Sequence, residues 1–205
     1  GQDYHKNKMF KAKEIEGELK YAVRRQEETI YHRQLKMTSP ALNRFRDLVL
    51  YNLEAGQAVL TDNNDIRIYT DGKEKFHALI EEMKCAKKYI HVQYYIIRND
   101  EVWQDIENVL IEKAHEGVEV RVLFDSMGCR TMHKRDWDRL KREGIRVAEF
   151  FPAILGQLQM RVNYRNHRKI VVIDGKVGFV GGFNVGREYI GKDEKFGYWR
   201  DTHLC

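Results

Sequence analysis

The chain has 205 residues, of which 42% are hydrophobic and 33% charged, and its formal net charge is +5. This length and composition suit a folded domain with a full core and exclude a disordered chain. The positive charge fits an anionic partner, such as a lipid headgroup, a membrane surface or a nucleic acid, without choosing among them.

The cysteines and histidines give no sign of a disulfide framework or a metal centre. Cys85, Cys129 and Cys205 form no C-x-x-C pair, which favours a reducing, cytosol-facing environment. Four histidines outside the motif described below are scattered and lack metal-ligand spacing, so we expect surface or core positions for them and neither a metal nor another cofactor. They are His91, His115, His133 and His203. No window approaches the length of a membrane span, and no secretory signal is visible.

Residues 1–40 are densely charged and are predicted to form a helical segment or linker before a domain over residues 41–205. Four apolar residues recur there at near-helical spacing: Ile15, Leu19, Val23 and Ile30. The helix is either a basic arm that lies near a membrane or an element that packs on the domain or on another chain. Pro40 ends it.

From Asp65 onward, strand and helix patterns alternate, which predicts an α/β sandwich. The predicted strands are Asp65–Tyr69, Lys88–Ile97, Glu119–Phe124 and Ile145–Phe150. The predicted helices are Gly72–Lys87, Glu101–His115 and Lys134–Arg142.

The most informative segment is a predicted hairpin near the C-terminal end of the sequence. Arg168–Ile173 reads as a strand, Asp174-Gly175 as a type I′ turn, and Lys176–Val180 as the returning strand. Because strand side chains alternate between faces, His167 and Lys169 are expected to point the same way.

Gly181 and Gly182 end the returning strand and would let a ligand approach the backbone, and the Asn184 amide can donate to a phosphate oxygen. The hairpin thus offers a nucleophile, a cation and neutral donors to one anion. Asp174 lies at an odd offset from His167, so alternation places it on the opposite face, where it would form the turn and tie down the hairpin.

The pattern H-x-K-x4-D-x6-G-G-x-N resembles the motif of the phospholipase D superfamily. Four further segments narrow the resemblance to bacterial cardiolipin synthases of the phospholipase D type, from about Asn63 to the last residue. They are Ile90–Asp100, Leu123–Gly128, Glu188-Tyr189 and Trp199–His203. The resemblance implies a phospholipase D-like α/β(α) sandwich with a mixed central sheet, preceded by the charged N-terminal helix.

The resemblance also implies a metal-independent transfer through a phosphohistidine. His167 would attack one phosphatidylglycerol, and the hydroxyl of a second would take the phosphatidyl group to give cardiolipin. Lys169, Gly182 and Asn184 would hold the phosphate. Asp201 looks like the acidic residue that orients the histidine in many members, whereas Asp174 belongs to the catalytic set only through the motif.

Two strand ends carry possible substrate contacts. Gln93 and Tyr94 lie near the end of one buried strand, although one tyrosine of the Tyr94-Tyr95 pair is expected in the core. Asp125 ends the next strand and would equally serve as an N-cap. The apolar connection over residues 150–160 is either a lipid-contacting loop or a buried Ω-loop.

Members of the family carry two such motifs in one chain, and the second histidine is the acid for the leaving group. This sequence has one motif and no membrane-spanning segment, so we expect the first catalytic half of a longer enzyme at the bacterial cell membrane, facing the cytoplasm. Its partners would be phosphatidylglycerol or another anionic phospholipid, the membrane surface, and a second half or a second copy. A single-motif phosphodiesterase or nuclease that acts as a homodimer and a non-catalytic lipid-binding half-domain are the alternatives. The Gln93–Asp100 and Leu123–Gly128 segments argue against the nuclease and make nucleic acid the weaker candidate.

Overall fold

The structure is a computed structural model that describes residues 12–31, 43–61, 63–150 and 165–205. The chain divides into two compact units, Gly1–Asp65 and Ile66–Cys205. The sequence placed the boundary after residue 40, a position outside the described residues. Residues 151–160 of the predicted apolar connection also lie outside them, so its two interpretations stay predictions.

Within the described residues, the first unit contains two helices, α1 (Ala12–Tyr31) and α2 (Arg46–Gly56). Val23 and Leu53 are buried between them, and the Gln26 side chain both donates to and accepts from the backbone of Leu60. The predicted N-terminal helix is therefore present, and within this unit it packs on α2. Among the helices of the described residues, none is long and apolar enough to cross a membrane.

The second unit is a seven-stranded mixed sheet in the order β1-β7-β6-β5-β2-β3-β4. Strands β2, β3 and β4 run parallel, and the other neighbouring pairs are antiparallel. The strands are β1 (Ile68–Asp71), β2 (Tyr89–Tyr94), β3 (Glu119–Asp125), β4 (Arg146–Phe150), β5 (Ile170–Ile173), β6 (Val177–Gly181) and β7 (Arg200–Leu204). This confirms the predicted α/β class with a mixed sheet.

In the part of this unit that the structure describes, three α-helices connect the strands: α3 (Gly72–Lys84), α4 (Glu101–His115) and α5 (Lys134–Arg142). A short 3-10 helix, Arg187–Ile190, lies between β6 and β7. Asp71 and Asp100 cap α3 and α4, because each carboxylate accepts from two N–H groups of the first turn. The apolar faces of the helices cover one side of the sheet in a single core, in which Trp137 stacks on Phe124 at 3.9 Å between ring centroids.

Several boundaries differ from the predicted ones for local reasons. β1 begins three residues later than expected, at Ile68, and runs on to Asp71, which is also the N-cap of α3. β2 ends at Tyr94, after which the chain turns aside and Ile97 forms an isolated parallel bridge with Val185. The returning strand of the hairpin begins at Val177, since Lys176 belongs to the turn and donates to the carbonyl of Ile173 at 3.0 Å.

Candidate active site

The candidate site lies at the C-terminal ends of β2 and β3 and at the N-terminal end of the neighbouring strand β5. His167 and Lys169 occupy the extended segment just before β5, and their side chains converge. Lys169 Nζ is 3.0 Å from His167 Nδ1 and donates to the His167 carbonyl at 2.6 Å. The two groups expected to share one face therefore do so, although both precede the first paired residue of the strand.

Burial and neighbouring charges shift the pKa values of both groups. Burial lowers the pKa of Lys169 to about 8, while the negative charge of Asp201 opposes the shift. Partial burial and the neighbouring Lys169 lower the pKa of His167, while Asp125 opposes that shift. Near neutral pH the site therefore pairs an uncharged imidazole with an ammonium group, which suits a nucleophile beside an anion-binding cation.

The Tyr95 ring contacts the His167 ring, with centroids 4.6 Å apart and planes tilted by 47°. Its neighbour Tyr94 points the other way: it is 1% exposed, and its hydroxyl accepts from Lys75 Nζ at 2.8 Å. The prediction of Tyr94 as a substrate contact is therefore wrong, because strand alternation turns Tyr94 into the core and leaves Tyr95 at the site.

Gln93 and Asp125 hold the residue that precedes His167. Asp125 is 1% exposed, and its carboxylate accepts from the backbone N–H groups of Asn166 at 3.0 Å and Met127 at 2.9 Å. The Gln93 amide donates to the Asn166 side chain at 2.8 Å. These contacts lie behind the histidine, so the structure gives Gln93 and Asp125 a supporting position rather than an open, substrate-facing one.

Asn184 is buried, and its amide joins two segments. Its Oδ1 accepts from the Ile96 N–H at 3.1 Å, and its Nδ2 donates to the Tyr189 hydroxyl at 3.0 Å. One of the two Nδ2 hydrogens remains for an anion. The segment after β6 is thereby fixed to the segment after β2.

Gly181 and Gly182 were expected to let a ligand approach the backbone, but the structure gives them a different role. An added Cβ on Gly182 would overlap the Asp201 carboxylate, and one on Gly181 would overlap the backbone of β7. The Gly182 N–H also donates to the Thr202 carbonyl at 2.9 Å. The expected contact of this N–H with phosphate is therefore corrected: the glycines leave room for β7, and the donor is already in use.

Asp174 lies at the opposite end of β5 from His167. Its carboxylate accepts from the backbone N–H groups of Lys87, Lys88 and Tyr89, each at 2.8 Å. Asp174 and Gly175 both have left-handed φ values, 54° and 68°, as a type I′ turn requires. Asp174 thus ties the hairpin to the start of β2 and makes no contact with the histidine.

Asp201 does not hydrogen-bond to His167 in the part of the chain that the structure describes. Its carboxylate accepts from the Thr202 N–H at 2.7 Å, and its charge acts on Lys169. The expected direct contact with the histidine ring is therefore absent here.

The sequence did not single out Tyr95 or Asn166 as site residues. Strand alternation does not predict Tyr95, because β2 ends at Tyr94 and Tyr95 lies where the chain has already turned aside. Asn166 carries no sequence signal either, since its partners come from two other strands. Among the described residues, no group of three or more histidine, cysteine or acidic side chains could hold a metal ion.

Comparisons with known proteins relate this chain to one protein family. A family profile described as the PLD-like domain of cardiolipin synthase matches residues 79–195. A cardiolipin synthase of Oceanobacillus iheyensis is 47% identical over 91% of this chain and 39% of its own length. Cardiolipin synthase 2 of Staphylococcus epidermidis is 45% identical over all of this chain and 42% of its own length. The chain thus spans about two fifths of these relatives.

Two solved structures share the fold at low sequence identity. NucT from Helicobacter pylori has a TM-score of 0.51 and 17% identity, covering 68% of this chain and 83% of its own. A phosphatidylserine synthase from Haemophilus influenzae has a TM-score of 0.51 and 19% identity, covering 71% and 34%.

Proposed function

The chain belongs to the family of phospholipase D-like domains of cardiolipin synthases, and on this premise we propose that it supplies one half of the active site of a phosphatidyltransferase. The reaction joins two phosphatidylglycerol molecules into cardiolipin and releases glycerol. One observation supports the proposal above all: the ammonium nitrogen of Lys169 lies 3.0 Å from Nδ1 of the uncharged His167 imidazole. The substrates place the enzyme at a membrane surface.

In the first step a His167 ring nitrogen attacks the phosphorus of one phosphatidylglycerol. A nitrogen–phosphorus bond forms, the bond from phosphorus to the glycerol oxygen breaks, and the leaving oxygen takes up a proton. In the second step the hydroxyl of another phosphatidylglycerol attacks the phosphohistidine, loses its proton and releases the imidazole. The covalent intermediate divides one difficult displacement into two easier ones.

Lys169 and Asn184 hold the phosphate oxygens through both steps. The ammonium group neutralises the charge that spreads over these oxygens, and the remaining Nδ2 hydrogen of Asn184 adds a neutral donor. Tyr95 and the Asn166 contacts keep the His167 ring in place. Asp201 favours the protonated form of Lys169, and Asp174 acts at a distance by fixing the hairpin.

The sequence contains one H-x-K-x4-D motif, so the proton donor for the departing glycerol must come from elsewhere. The curated relatives are more than twice as long as this chain. We propose that a second catalytic half supplies the acid, either from the same enzyme or from a second copy of this chain. Without it, the first step would lose roughly a hundred- to ten-thousand-fold in rate.

A direct test looks for the covalent intermediate and the product together. The chain is incubated with phosphatidylglycerol vesicles, tryptic peptides are analysed for a phosphatidyl adduct on His167, and the lipids are separated by thin-layer chromatography. The adduct should form slowly, disappear in His167→Ala, and persist in His115→Ala, a control that removes an exposed histidine outside the site.

Sedimentation mass and a plasmid-nicking assay on the same samples distinguish the alternatives. Slow adduct formation by a monomer, with little cardiolipin, supports a half-site that needs a second part. Rapid turnover by a monomer overturns it. Nicking by a dimer, lost in His167→Ala and without lipid transfer, would instead identify a single-motif nuclease.

A further inference from the structure

A histidine in the core stands behind the site, and its surroundings give no ordinary reason for a polar ring. His203 on β7 is fully buried, and neither ring nitrogen has a hydrogen-bond partner among the described residues. Its ring lies 6.5 Å from that of Phe179 and 6.1 Å from that of Phe183. A phenylalanine would fill the same space without the cost of burying unsatisfied nitrogens. The polar ring therefore needs a partner that explains it.

The strand register identifies that partner. His203 pairs with Gly181 on β6, and Val180 pairs with Ile170 on β5. Lys169 comes immediately before Ile170, so it lies level with Gly181 and two strands away from His203. Lys169, Gly181 and His203 share the core-facing side of the sheet, and the middle member has no side chain. An added Cβ on Gly181 would come within 2.7 Å of His203 Cγ, so the glycine leaves the space above it to its two neighbours.

A second lysine closes this space from the helix side. Lys75 of α3 is fully buried, donates to the Tyr94 hydroxyl at 2.8 Å and lies 3.9 Å from the centroid of the Phe76 ring. Tyr94 is the residue of β2 that lies level with Lys169, because Gln93 pairs with Ile170. Tyr94, Lys169 and His203 therefore lie level with Gly181, whose missing side chain leaves a gap in this row, and Lys75 joins them through its hydrogen bond to Tyr94; we call these four residues the interior cluster.

We propose that His203 is a positioning residue for Lys169: its neutral ring faces the Lys169 ammonium group across the gap at Gly181 and, together with Lys75 and Tyr94, stabilises that group from inside the sheet. The inference rests on the proposed role of Lys169 as a phosphate ligand.

The chemistry of the interior cluster favours this assignment. Both lysines can only donate hydrogen bonds when charged, and Lys75 already donates to the Tyr94 hydroxyl. A neutral imidazole supplies an acceptor nitrogen, whereas a protonated one would add a third positive charge. Burial, Lys75 and Lys169 together lower the pKa of His203 to about 3, so the ring stays neutral at physiological pH. Burial also lowers the pKa of Lys75 well below its usual value.

The groups that face Lys169 come from every neighbouring element. Tyr94 and Tyr95 belong to β2 and its end, Asp201 and His203 to β7, and His167 precedes it on its own segment. Among the described residues, Asp201 is the one carboxylate whose charge acts on Lys169, and it opposes the lowering of the Lys169 pKa by burial. His203 would act on the Lys169 ammonium group from the core-facing side of the sheet, as a neutral dipole rather than as a charge.

The test measures the protonation of Lys169 directly and its consequence for an anion. The pKa of the Lys169 amine is followed by carbon NMR on lysine-labelled protein, with Lys169→Met to assign the signal. The affinity for inorganic phosphate is measured by calorimetry from pH 6 to 9. His203→Phe should lower the pKa of Lys169 by about one unit, because an apolar ring replaces a dipole next to a partly buried ammonium group. Phosphate affinity should then begin to fall at a correspondingly lower pH.

Two further variants separate positioning from packing. His203→Gln retains a neutral acceptor and should keep the pKa of Lys169 close to the wild-type value. Phe179→Leu changes a fully buried neighbour without removing a polar atom, and it should alter stability but not this pKa. Should His203→Phe fail to fold, His203→Leu removes the same nitrogens with a smaller side chain and serves in its place.

The possible outcomes distinguish the positioning role of His203 from the role of Lys169 as a phosphate ligand. An unchanged pKa of Lys169 in the apolar His203 variants overturns the positioning role, even if phosphate still binds. Equal shifts in His203→Phe and Phe179→Leu would also overturn it, since packing alone would then explain them. Wild-type protein that binds phosphate no better than Lys169→Met would instead overturn the role of Lys169 as a phosphate ligand, while the NMR titration would still decide the inference.

Discussion

The Asp201 carboxylate occupies the space that a side chain on Gly182 would need. The residue that follows β6 has to be small, because an acidic side chain from β7 lies against its backbone. The Gly182 N–H donates to the Thr202 carbonyl at 2.9 Å, which fixes the same approach. Asp201 also opposes the lowering of the Lys169 pKa, so the absence of a side chain at Gly182 leaves room for a carboxylate that acts on Lys169.

Gly182→Ala should therefore damage both stability and the site. We expect a loss of about 1–3 kcal/mol in the free energy of unfolding, because the new methyl group must displace the carboxylate or the strand. The pKa of Lys169 should fall further as Asp201 moves away. Gly178→Ala is the matched control, because an added Cβ there meets nothing within 4 Å. Equal losses in denaturant titrations of the two variants would contradict this account.

Tyr95 should control the protonation of His167, and Tyr94 should not. Tyr95→Ala exposes the imidazole, and the pKa of His167 should rise because burial is the main cause of its lowering. Tyr95→Phe should retain the wild-type value, since the ring contact remains. Tyr94→Phe should lower stability through the loss of the Lys75 hydrogen bond and leave His167 unchanged. Proton NMR titration of the imidazole measures all three, and a response to Tyr94→Phe alone would refute the assignment.

Asp125→Asn should lower the pKa of His167. The carboxylate opposes the effects of burial and of Lys169 on the imidazole, and this opposition disappears with its charge. The variant should also unfold more easily, because the new amide cannot accept from both Asn166 and Met127. Asp105→Asn removes an exposed carboxylate from α4 and should change neither property. A pKa of His167 that rises or stays constant in Asp125→Asn would contradict the prediction.

Asp174 should contribute a pH-dependent part of the stability. The backbone N–H groups of Tyr89, Lys87 and Lys88 hold the pKa of its carboxyl below the usual value. Its contribution is therefore present above the pKa of the unfolded chain, about 4, and is lost as the pH falls through the lower pKa of the folded protein. Asp174→Asn should be less stable than wild type at pH 7, and the difference should shrink under acid conditions.

Urea unfolding between pH 2 and 7 measures this difference. Glu194→Gln removes an exposed carboxylate and should follow the wild-type curve. Asn is a suitable replacement at position 174 because it tolerates the left-handed φ of 54°, so strain does not confuse the result. Curves for Asp174→Asn and wild type that stay parallel across this range would exclude the proposed contribution.

Local sequence patterns predicted the hairpin, its turn and the separation of Asp174 from His167, because each depends on strand alternation and turn chemistry over a few residues. The sequence did not show which of Tyr94 and Tyr95 lies at the site, because this depends on where β2 ends. Tyr94 is the last residue of the strand and faces the core, whereas Tyr95 contacts His167 after the chain has turned aside. The positions of Asp201 and Gly182 could not be read in this way, since the register of β7 against β6 is set by packing between distant parts of the chain.

The pairing of β1 with β7 has a consequence for the order in which the protein is made. Ile68 pairs with Leu204, and Tyr69 with His203, so one edge of the sheet joins residues that leave the ribosome far apart in time. Pairs so distant in sequence form slowly, and until β7 is added β1 has no strand beside it. The same late strand brings Asp201 and His203 to Lys169. The nascent chain thus lacks these neighbours of Lys169 until β7 has been synthesised and has joined the sheet.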